Sequence, residues 1–412
     1  MISQKCKGAR DLLPKDMQAF RFIENAFIQS CLNWGYKEVQ TPTLEYLHLF
    51  TSAGTLTPNM LSKVYSFLDW DGWSGERVVL RPDGTIPVAR LFIENLPKNE
   101  IARLFYVTNV FAFEETGTEN REKWQCGVEL LGSNKAASDI ELILLSLNIL
   151  RQLGIDGVEL KLSHAGMLSA LIKELKLNPD EEVRLLDRIL DGNWQALAEA
   201  APINSQIKRL VSSFINLKGK TSSFVENLKS MPQLPENLKV ALTNFAEISG
   251  ILDSVKCSYQ IDITSMRGFE YYTGLCFQLS CGSYRLGSGG RYDSLIPLIG
   301  GQETPACGFA LYVEPLAKLI RPEMVQTGSS EISVKCETAT VNAIRTSFEL
   351  ASKLRRKGFI AVLDFDGRQS RKLRQVIVLE KKASFLVTDP SAKLKKEVSS
   401  ITEVVKLLGG AA

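Results

Sequence analysis

Residues 111–132 read FAFEETGTENREKWQCGVELLG. Apolar residues at both ends and a polar centre rich in Glu, Thr and Gly predict two strands joined by a loop. We place the second strand at residues 124–131, where Gln125 and Glu129 are four positions apart and therefore share one face. The residues between them alternate apolar on the opposite face. Such a strand is typical of a ligand pocket or of a solvated sheet face, and its sequence leaves both open.

Strand and helix patterns are mixed, without regular alternation, on both sides of this hairpin. This mixture predicts an α+β core over residues 1–325. Strand signals nearly vanish between residues 176 and 254, which indicates a helical insertion in that core. Beyond it, four glycines at positions 282, 287, 289 and 290 favour tight turns between strands.

The chain from residue 326 to residue 412 has a different pattern. After the Gly-Ser-Ser break at residues 328–330, alternating segments predict a C-terminal α/β domain with a largely parallel sheet. We expect its strands at 332–335, 360–363 and 384–387, and its helices at 341–357, 370–380 and 394–408.

Charge and composition exclude several classes of protein. The net charge is only +3, although residues from 341 onward carry 15 Lys and Arg against 7 Asp and Glu, so nucleic-acid binding is disfavoured. Eight cysteines without a CxxC pair, and only two histidines, argue against a metal site and for a reducing compartment. The sequence has neither a signal-peptide core nor a spanning apolar run. We therefore expect a cytoplasmic protein with no membrane partner.

Three short motifs occur in a fixed order along about 300 residues. They are LRPDGT at 80–85, the 111–132 hairpin, and RGFEYYTG at 267–274 followed by GGRYD at 289–293 and GFAL at 308–311. Together they resemble the class II histidyl-tRNA synthetase family. The resemblance implies an antiparallel sheet with flanking helices, a homodimeric core, and a shortened anticodon-binding-like domain at the C-terminus.

The resemblance also implies a histidine pocket. Histidine is a zwitterion with an imidazole ring, so its site needs carboxylates for the ammonium group and hydrogen-bonding groups for the ring nitrogens. Asp83 is one methylene shorter than the family's usual glutamate, and Asp-Gly is also a common turn dipeptide. The arginine and tyrosines of RGFEYYTG also fit a structural role in a glycine-bounded strand. The positions that match the family's histidine-binding residues are Asp83, Thr85, Gln125, Glu129, Arg267, Tyr271 and Tyr272.

The positions that would hold ATP in this family have changed. Ala112 and Pro315 stand where the family has arginines, and Glu119 replaces a basic residue of the loop. Adenylation needs arginines to orient and neutralise the triphosphate. Removing one partner of a desolvated charge pair costs about 3–5 kcal/mol, and each 1.36 kcal/mol is about tenfold in rate. We therefore expect no catalytic residues and no cofactor.

One branch of this family has lost aminoacylation and serves as the regulatory subunit of ATP phosphoribosyltransferase, the first step of histidine biosynthesis. The resemblance therefore implies a non-catalytic subunit with two partners, the short-form catalytic subunit and L-histidine. Arg267 keeps a second hypothesis open, a divergent histidyl-tRNA synthetase that activates histidine with ATP. A third hypothesis is a tRNA sensor without catalysis, and the mild net charge disfavours it.

Overall fold

The structure is a computed structural model. It describes residues 4–54, 61, 63–69, 75–97, 100–113, 119–190, 192–201, 206–215, 218–232, 234–265, 272–325, 331–338, 340–366, 374–379, 384–390 and 392–408. The chain divides into two compact units, Met1–Val325 and Gln326–Ala412.

The first unit mixes short strands with helices, as predicted for an α+β core. Its elements are α1 (Pro14–Asn33), β1 (Lys37–Glu38), β2 (Leu44–Tyr46), α2 (Leu47–Ser52), β3 (Ser66–Asp69), β4 (Glu76–Leu80), α3 (Thr85–Asn95), β5 (Ala102–Phe111), β6 (Glu122–Leu131), α4 (Ala136–Gln152), β7 (Glu159–His164), α5 (Ala165–Leu175), α6 (Pro179–Leu190), α7 (Gln195–Ala200), α8 (Gln206–Ile215), β8 (Lys218–Gly219), α9 (Ser222–Lys229), α10 (Glu236–Ser254), β9 (Gln260–Asp262), β10 (Leu275–Cys281), β11 (Tyr284–Arg291), α11 (Leu295–Leu298), β12 (Ala306–Tyr312), α12 (Val313–Leu319) and α13 (Pro322–Val325).

The main sheet has the strand order β1-β5-β6-β12-β11-β10-β7-β9-β8, and β2-β4-β3 form a separate small sheet. The β5–β6 hairpin, β12, β11, β10 and β7 pair in antiparallel fashion, while β1 and β9 join in parallel. The strand that precedes the loop of the 111–132 hairpin is β5, which begins at Ala102. Asn109, which interrupts the apolar pattern, stays in the strand because its side chain bonds Arg81 and Glu122.

The two faces of the main sheet are covered by different elements. Phe105, Val128 and Leu130 point into the large apolar core that includes Phe27 of α1 and Ile143 of α4. The opposite face meets α3 and the small sheet through a second core that contains Phe92, Leu104 and Tyr106. Gln125 and Glu129 belong to this opposite face, as the alternation of β6 predicts.

The glycines near residue 290 correct one prediction. Gly282 is in a turn with a positive φ of 56°, but Gly287, Gly289 and Gly290 lie inside β11. A Cβ at Gly287 would lie 2.5 Å from the carbonyl oxygen of Ala310. These glycines therefore serve close packing at the centre of the sheet, which a sequence motif does not distinguish from a turn.

The insertion between residues 176 and 254 is mostly helical and comprises α6 to α10 with the two-residue strand β8. Leu238, Leu242 and Phe245 of α10 are fully buried and join the large core. The insertion therefore extends the core.

The second unit comprises β13 (Glu331–Cys336), α14 (Val341–Arg356), β14 (Ile360–Leu363), β15 (Arg374–Leu379), β16 (Ser384–Asp389), β17 (Leu394–Val398) and α15 (Ile401–Leu407). Two predicted helices were wrong in whole or in part. The described part of 370–380 is strand β15, where Val376 and Val378 are buried and β-branching favours the sheet. Residues 394–408 divide into β17 and α15 because the hydroxyl of Ser400 caps a new helix at the backbone N–H of Glu403.

The sheet of this unit has the order β14-β13-β15-β16-β17. The pairs of β13 with β14 and β15 are parallel, and the pairs of β16 with β15 and β17 are antiparallel. The predicted largely parallel sheet is therefore mixed.

Candidate functional site

A buried carboxyl group lies at the centre of the face predicted to form the pocket. Glu129 of β6 is only 1% exposed. The hydroxyl of Tyr106, on β5, donates to its Oε1 at 3.2 Å. The hydroxyl of Tyr292, just after β11, donates to its Oε2. Three strands thus converge on one carboxyl group, which excludes the solvated-face interpretation for Glu129.

Three glycines make room for this arrangement. A Cβ at Gly84 or at Gly127 would overlap the ring of Tyr106, so the ring occupies the space between them. A Cβ at Gly308, opposite Glu129 on β12, would overlap Oε2 of Glu129 and lie 2.8 Å from the hydroxyl of Tyr292. Close packing therefore fixes the carboxyl group and its Tyr106 donor.

Burial decides the protonation of the cluster. Burial, together with the nearby Asp83 carboxylate, raises the pKa of Glu129 to about 8, against the opposing effect of hydrogen bonds from Tyr292, Thr85 and Tyr106. Burial likewise raises the pKa of Asp83, although backbone N–H groups at the start of α3 oppose the rise. The pKa of the Tyr106 phenol is raised well above its ordinary value by burial and by Glu129. Two acidic groups therefore share one site in which ionisation is costly.

Asp83 and Thr85 stand at the start of α3. Asp83 is half-buried, and its Oδ1 accepts from the backbone N–H of Ile86 at 2.9 Å, so it caps the helix. Thr85 is buried, and its side chain lowers the pKa of both Glu129 and Tyr106 by hydrogen bonding. Asp83 therefore stabilises the first turn of α3, and the same geometry places it within electrostatic reach of Glu129.

Gln125 lies further along the same face of β6, beside a cavity of about 420 Å³. Its Oε1 is buried and has no hydrogen-bond partner among the described residues. The hydroxyl of Thr108, which is paired with Gln125 in register on β5, is also buried without a hydrogen-bond partner among the described residues. Buried polar atoms are normally satisfied, so a polar group beyond the described side chains is expected at this pair.

Tyr272 is the described member of the RGFEYYTG motif's predicted ligands. Its ring packs over β11, because a Cβ at Gly290 would lie 2.9 Å from its Cδ1. The following residue, Thr273, donates its N–H to the carbonyl oxygen of Arg291 at 2.7 Å. Arg267 and Tyr271 lie outside the described residues. The structure therefore brings Asp83, Thr85 and Glu129 into one cluster, with Gln125 along the strand and Tyr272 over β11.

A buried ion pair holds the end of β11. The guanidinium of Arg291 bonds Asp139 of α4 at 3.0 Å, and both side chains are almost fully buried. It also donates to the carbonyl oxygen of Ser133 at 3.0 Å. Burial raises the pKa of Asp139 to about 6 despite Arg291, the largest opposing influence. Because Tyr292 follows Arg291 directly, this pair positions one of the two tyrosine donors to Glu129.

The phosphate end, by which we mean the positions that would hold ATP in the family, is more exposed than the surroundings of Glu129. Ala112 is exposed, and Glu119 is exposed and pairs with Lys123 at 3.3 Å. Glu314 accepts from Arg10 at 2.9 Å and from the backbone N–H of Trp124 at 3.1 Å. Pro315 lies in the first turn of α12, where a missing N–H breaks no helical bond. The proline is therefore compatible with the helix.

Sequence reasoning missed Tyr106, Thr108 and Tyr292. Tyr292 was visible within GGRYD, and the alternation of β5 carried Tyr106 and Thr108 on one face. Their approach to Glu129 and Gln125 depends on strand register. Within the described ranges, no group of three His, Cys, Asp or Glu side chains is placed to hold a metal ion. The described helices include none long and apolar enough to cross a membrane.

Comparison with known proteins agrees with these observations. Residues 8–316 match the family model Histidyl-tRNA synthetase. The chain is 44% identical over 408 residues to an ATP phosphoribosyltransferase regulatory subunit from Dehalococcoides mccartyi, covering 98% of each chain. It is 30% identical over 379 residues to a histidine–tRNA ligase from Methanocaldococcus jannaschii, covering 90% and 88%.

A solved structure has a similar fold. It is described as an ATP phosphoribosyltransferase regulatory subunit/histidyl-tRNA synthetase from Bacillus halodurans, with a TM-score of 0.77, 26% identity and coverage of 90% of this chain and 94% of that one. The predicted class II fold is thereby confirmed. The chain belongs to the histidyl-tRNA synthetase family, and within it to the ATP phosphoribosyltransferase regulatory subunits.

Proposed function

We propose that this protein is the non-catalytic regulatory subunit of an ATP phosphoribosyltransferase and controls the first step of L-histidine biosynthesis. The observation that carries the proposal is the 44% identity over 98% of the chain to a protein of that name. The site supports it. Its acidic end, formed by Asp83, Thr85 and Glu129, is largely buried. Its phosphate end, formed by Ala112, Glu119 and Pro315, lacks the arginines that the family has at positions 112 and 315.

L-Histidine is the ligand of the acidic end. The carboxyl groups of Asp83 and Glu129 receive cationic N–H groups, and Gln125 offers an unsatisfied buried acceptor. Thr85 and Tyr272 line the same region, and we assign Arg267 and Tyr271 to the site from their motif. Histidine bound here favours one state of the complex, and by linkage the substrate and histidine change each other's affinity by the same factor.

The chain itself does not activate histidine. Glu119 adds a carboxylate to the end of the site where a triphosphate would lie, and Pro315 replaces a bidentate cation with an uncharged ring. The carboxylate of Glu119 would repel a triphosphate at this end. Ala112 and Pro315 would not supply the positive charges that arginines supply in the family. The partner that carries out the chemistry is the short-form catalytic subunit, and both proteins work in the cytoplasm.

The small sheet forms the contact of a homodimeric core. Leu44, Tyr46 and Phe67 share one of its faces, because they pair in register with alternate residues of β4. They are 48%, 47% and 46% exposed. Three large apolar side chains exposed side by side are typical of a surface that another protein covers. Phe67→Asp is expected to shift the protein from dimer to monomer in analytical ultracentrifugation. An unchanged dimer excludes this face.

The decisive experiment joins the chain to its partner. The full-length protein is co-expressed with the short-form catalytic subunit from the same genome, and the complex is isolated through a tag on one chain only. We expect co-purification and phosphoribosyl-ATP synthesis that depends on both chains and falls on addition of L-histidine. Failure to form a complex, or activity independent of this chain, overturns the proposal.

A divergent histidyl-tRNA synthetase is the second candidate. The histidine–tRNA ligase of M. jannaschii shares 30% identity with this chain, and the motif arginine Arg267 is kept. Charging of histidine tRNA by the purified protein separates the two functions. The regulatory subunit leaves the tRNA uncharged, whereas ATP-dependent charging at rates of an ordinary synthetase establishes the second candidate.

A further inference from the structure

The groups around Glu129 are acidic or neutral on every described element that faces it. The β5 strand contributes the phenol of Tyr106, the start of α3 contributes Asp83 and the hydroxyl of Thr85, and the end of β11 contributes the phenol of Tyr292. On β12 the residue opposite Glu129 is Gly308, which has no side chain. These neighbours therefore bring hydroxyls and a second carboxyl group to Glu129.

We propose that histidine binding is linked to proton release, with the buried carboxyl of Glu129 exchanging its proton for a cationic group of the ligand. The inference rests on the proposed function, since it concerns the same pocket, and it adds that feedback control depends on pH. The proton leaves the carboxyl group for solvent, the ligand keeps its own protons, and the carboxylate forms a charge-assisted hydrogen bond to the cation.

The direction of the pH dependence follows from linkage. In the empty site Glu129 has a pKa of about 8, raised first by burial and further by Asp83. A bound cation lowers that pKa, because it supplies the opposite charge that the site lacks. Affinity for a cation therefore rises with pH, by about tenfold between pH 6 and pH 7, and levels off above about pH 8.

The two tyrosines tune the exchange. Each donates a hydrogen bond to a different oxygen of Glu129, which favours the carboxylate and opposes the effect of burial. Replacing Tyr292 by Phe removes one donor and keeps the buried ring. The pH at which affinity reaches half its maximum is therefore expected to move upward in Tyr292→Phe.

Calorimetry of the full-length protein measures the exchange directly. Histidine binding is titrated at pH 7 in buffers with different ionisation enthalpies, which yields the number of protons released per site. A histidine analogue with a triazole ring is titrated in parallel between pH 6 and pH 8, because its ring does not gain a proton in that range. We expect release of close to one proton at pH 7 and the tenfold rise in analogue affinity.

Two variants identify the group responsible. Glu129→Gln keeps the shape of the side chain but has no proton to release, and Glu159→Gln changes an exposed glutamate of β7 as the matched control. We expect the control to release the proton as the wild type does. If Glu129→Gln binds too weakly to titrate, the upward shift in Tyr292→Phe identifies the group.

The outcomes separate this inference from the proposed function. Histidine binding without proton release, or with affinity independent of pH for the triazole analogue, overturns the linkage and leaves the regulatory role intact. Absence of histidine binding at every pH removes the proposed function together with the inference. The same proton release from Glu129→Gln overturns the assignment to Glu129.

Discussion

The two ends of the β5–β6 hairpin have opposite chemistry on one continuous face. Near Glu129, side chains are buried and hydrogen-bonded to one another, and glycines allow them to pack closely. Near Glu119, side chains are exposed and the carboxylates pair with Lys123 and Arg10. The difference teaches that loss of one half of a bipartite site need not disturb the other half, because each is held by its own packing.

The largest loss of stability is expected when the ion pair between Asp139 and Arg291, which holds the strand before Tyr292, is broken. Asp139→Ala leaves the buried guanidinium of Arg291 without its main charge partner, which costs about 3–5 kcal/mol of unfolding free energy. Chemical denaturation followed by circular dichroism measures the loss. Glu119→Ala, which breaks an exposed ion pair, serves as the control. A loss below about 1 kcal/mol for Asp139→Ala would show that this ion pair does not support the site.

The next effect tests the packing around Glu129. In Gly308→Ala the new Cβ overlaps Oε2 of Glu129 and lies 2.6 Å from the carbonyl oxygen of Val128. Displacement of the carboxyl group is expected to weaken histidine binding by about 100-fold, within the usual cost of overpacking. Isothermal titration calorimetry provides the affinity. Gly250→Ala, where an added Cβ meets open space in α10, should bind as the wild type does.

A third effect concerns the stability of the empty protein. The pKa of Glu129 is about 8 in the folded state against an ordinary value of 4.5, so the unfolded chain binds fewer protons between these values. Its contribution to stability is complete below about pH 4.5 and is lost as pH rises through 8. Between pH 6 and pH 8 the wild type should lose about 2 kcal/mol more than Glu129→Gln. Parallel pH profiles for the two proteins would contradict the buried, protonated state.

The smallest effect belongs to the phosphate end. Glu119→Ala removes an exposed partner of Lys123, and such pairs contribute about 0–1 kcal/mol. Histidine affinity is expected to change by less than about twofold. If calorimetry shows a tenfold change instead, the two ends are energetically coupled and the division between them fails.

Part of the site could be predicted because the two-residue alternation of side chains in β6 is visible in the sequence. The alternation of β6 placed Gln125 and Glu129 on one face, and motif order placed Asp83 and Tyr272 near them. Tyr106 and Tyr292 were missed because their contacts with Glu129 depend on pairing between strands distant in sequence. Arg267 and Tyr271 remain predictions from their motif.

The fold shows the same division between local and tertiary signals. The insertion and the hairpin follow local patterns, and both were predicted. The glycines of β11 were interpreted as turns because close packing against Ala310 is a tertiary requirement. Residues 374–379 were assigned to a helix because an apolar run flanked by charged residues fits either element. These residues form a strand because Val376 is buried and paired with neighbouring strands on both sides.

The central claim is that this chain binds histidine but cannot activate it. One sample of the full-length protein is tested for histidine binding by calorimetry and for histidine-dependent exchange of pyrophosphate into ATP. We predict saturable histidine binding with no exchange above background, because the chain keeps the carboxyl groups of Asp83 and Glu129 and its phosphate end lacks the arginines at positions 112 and 315. Robust exchange, or no binding of histidine, would contradict the claim.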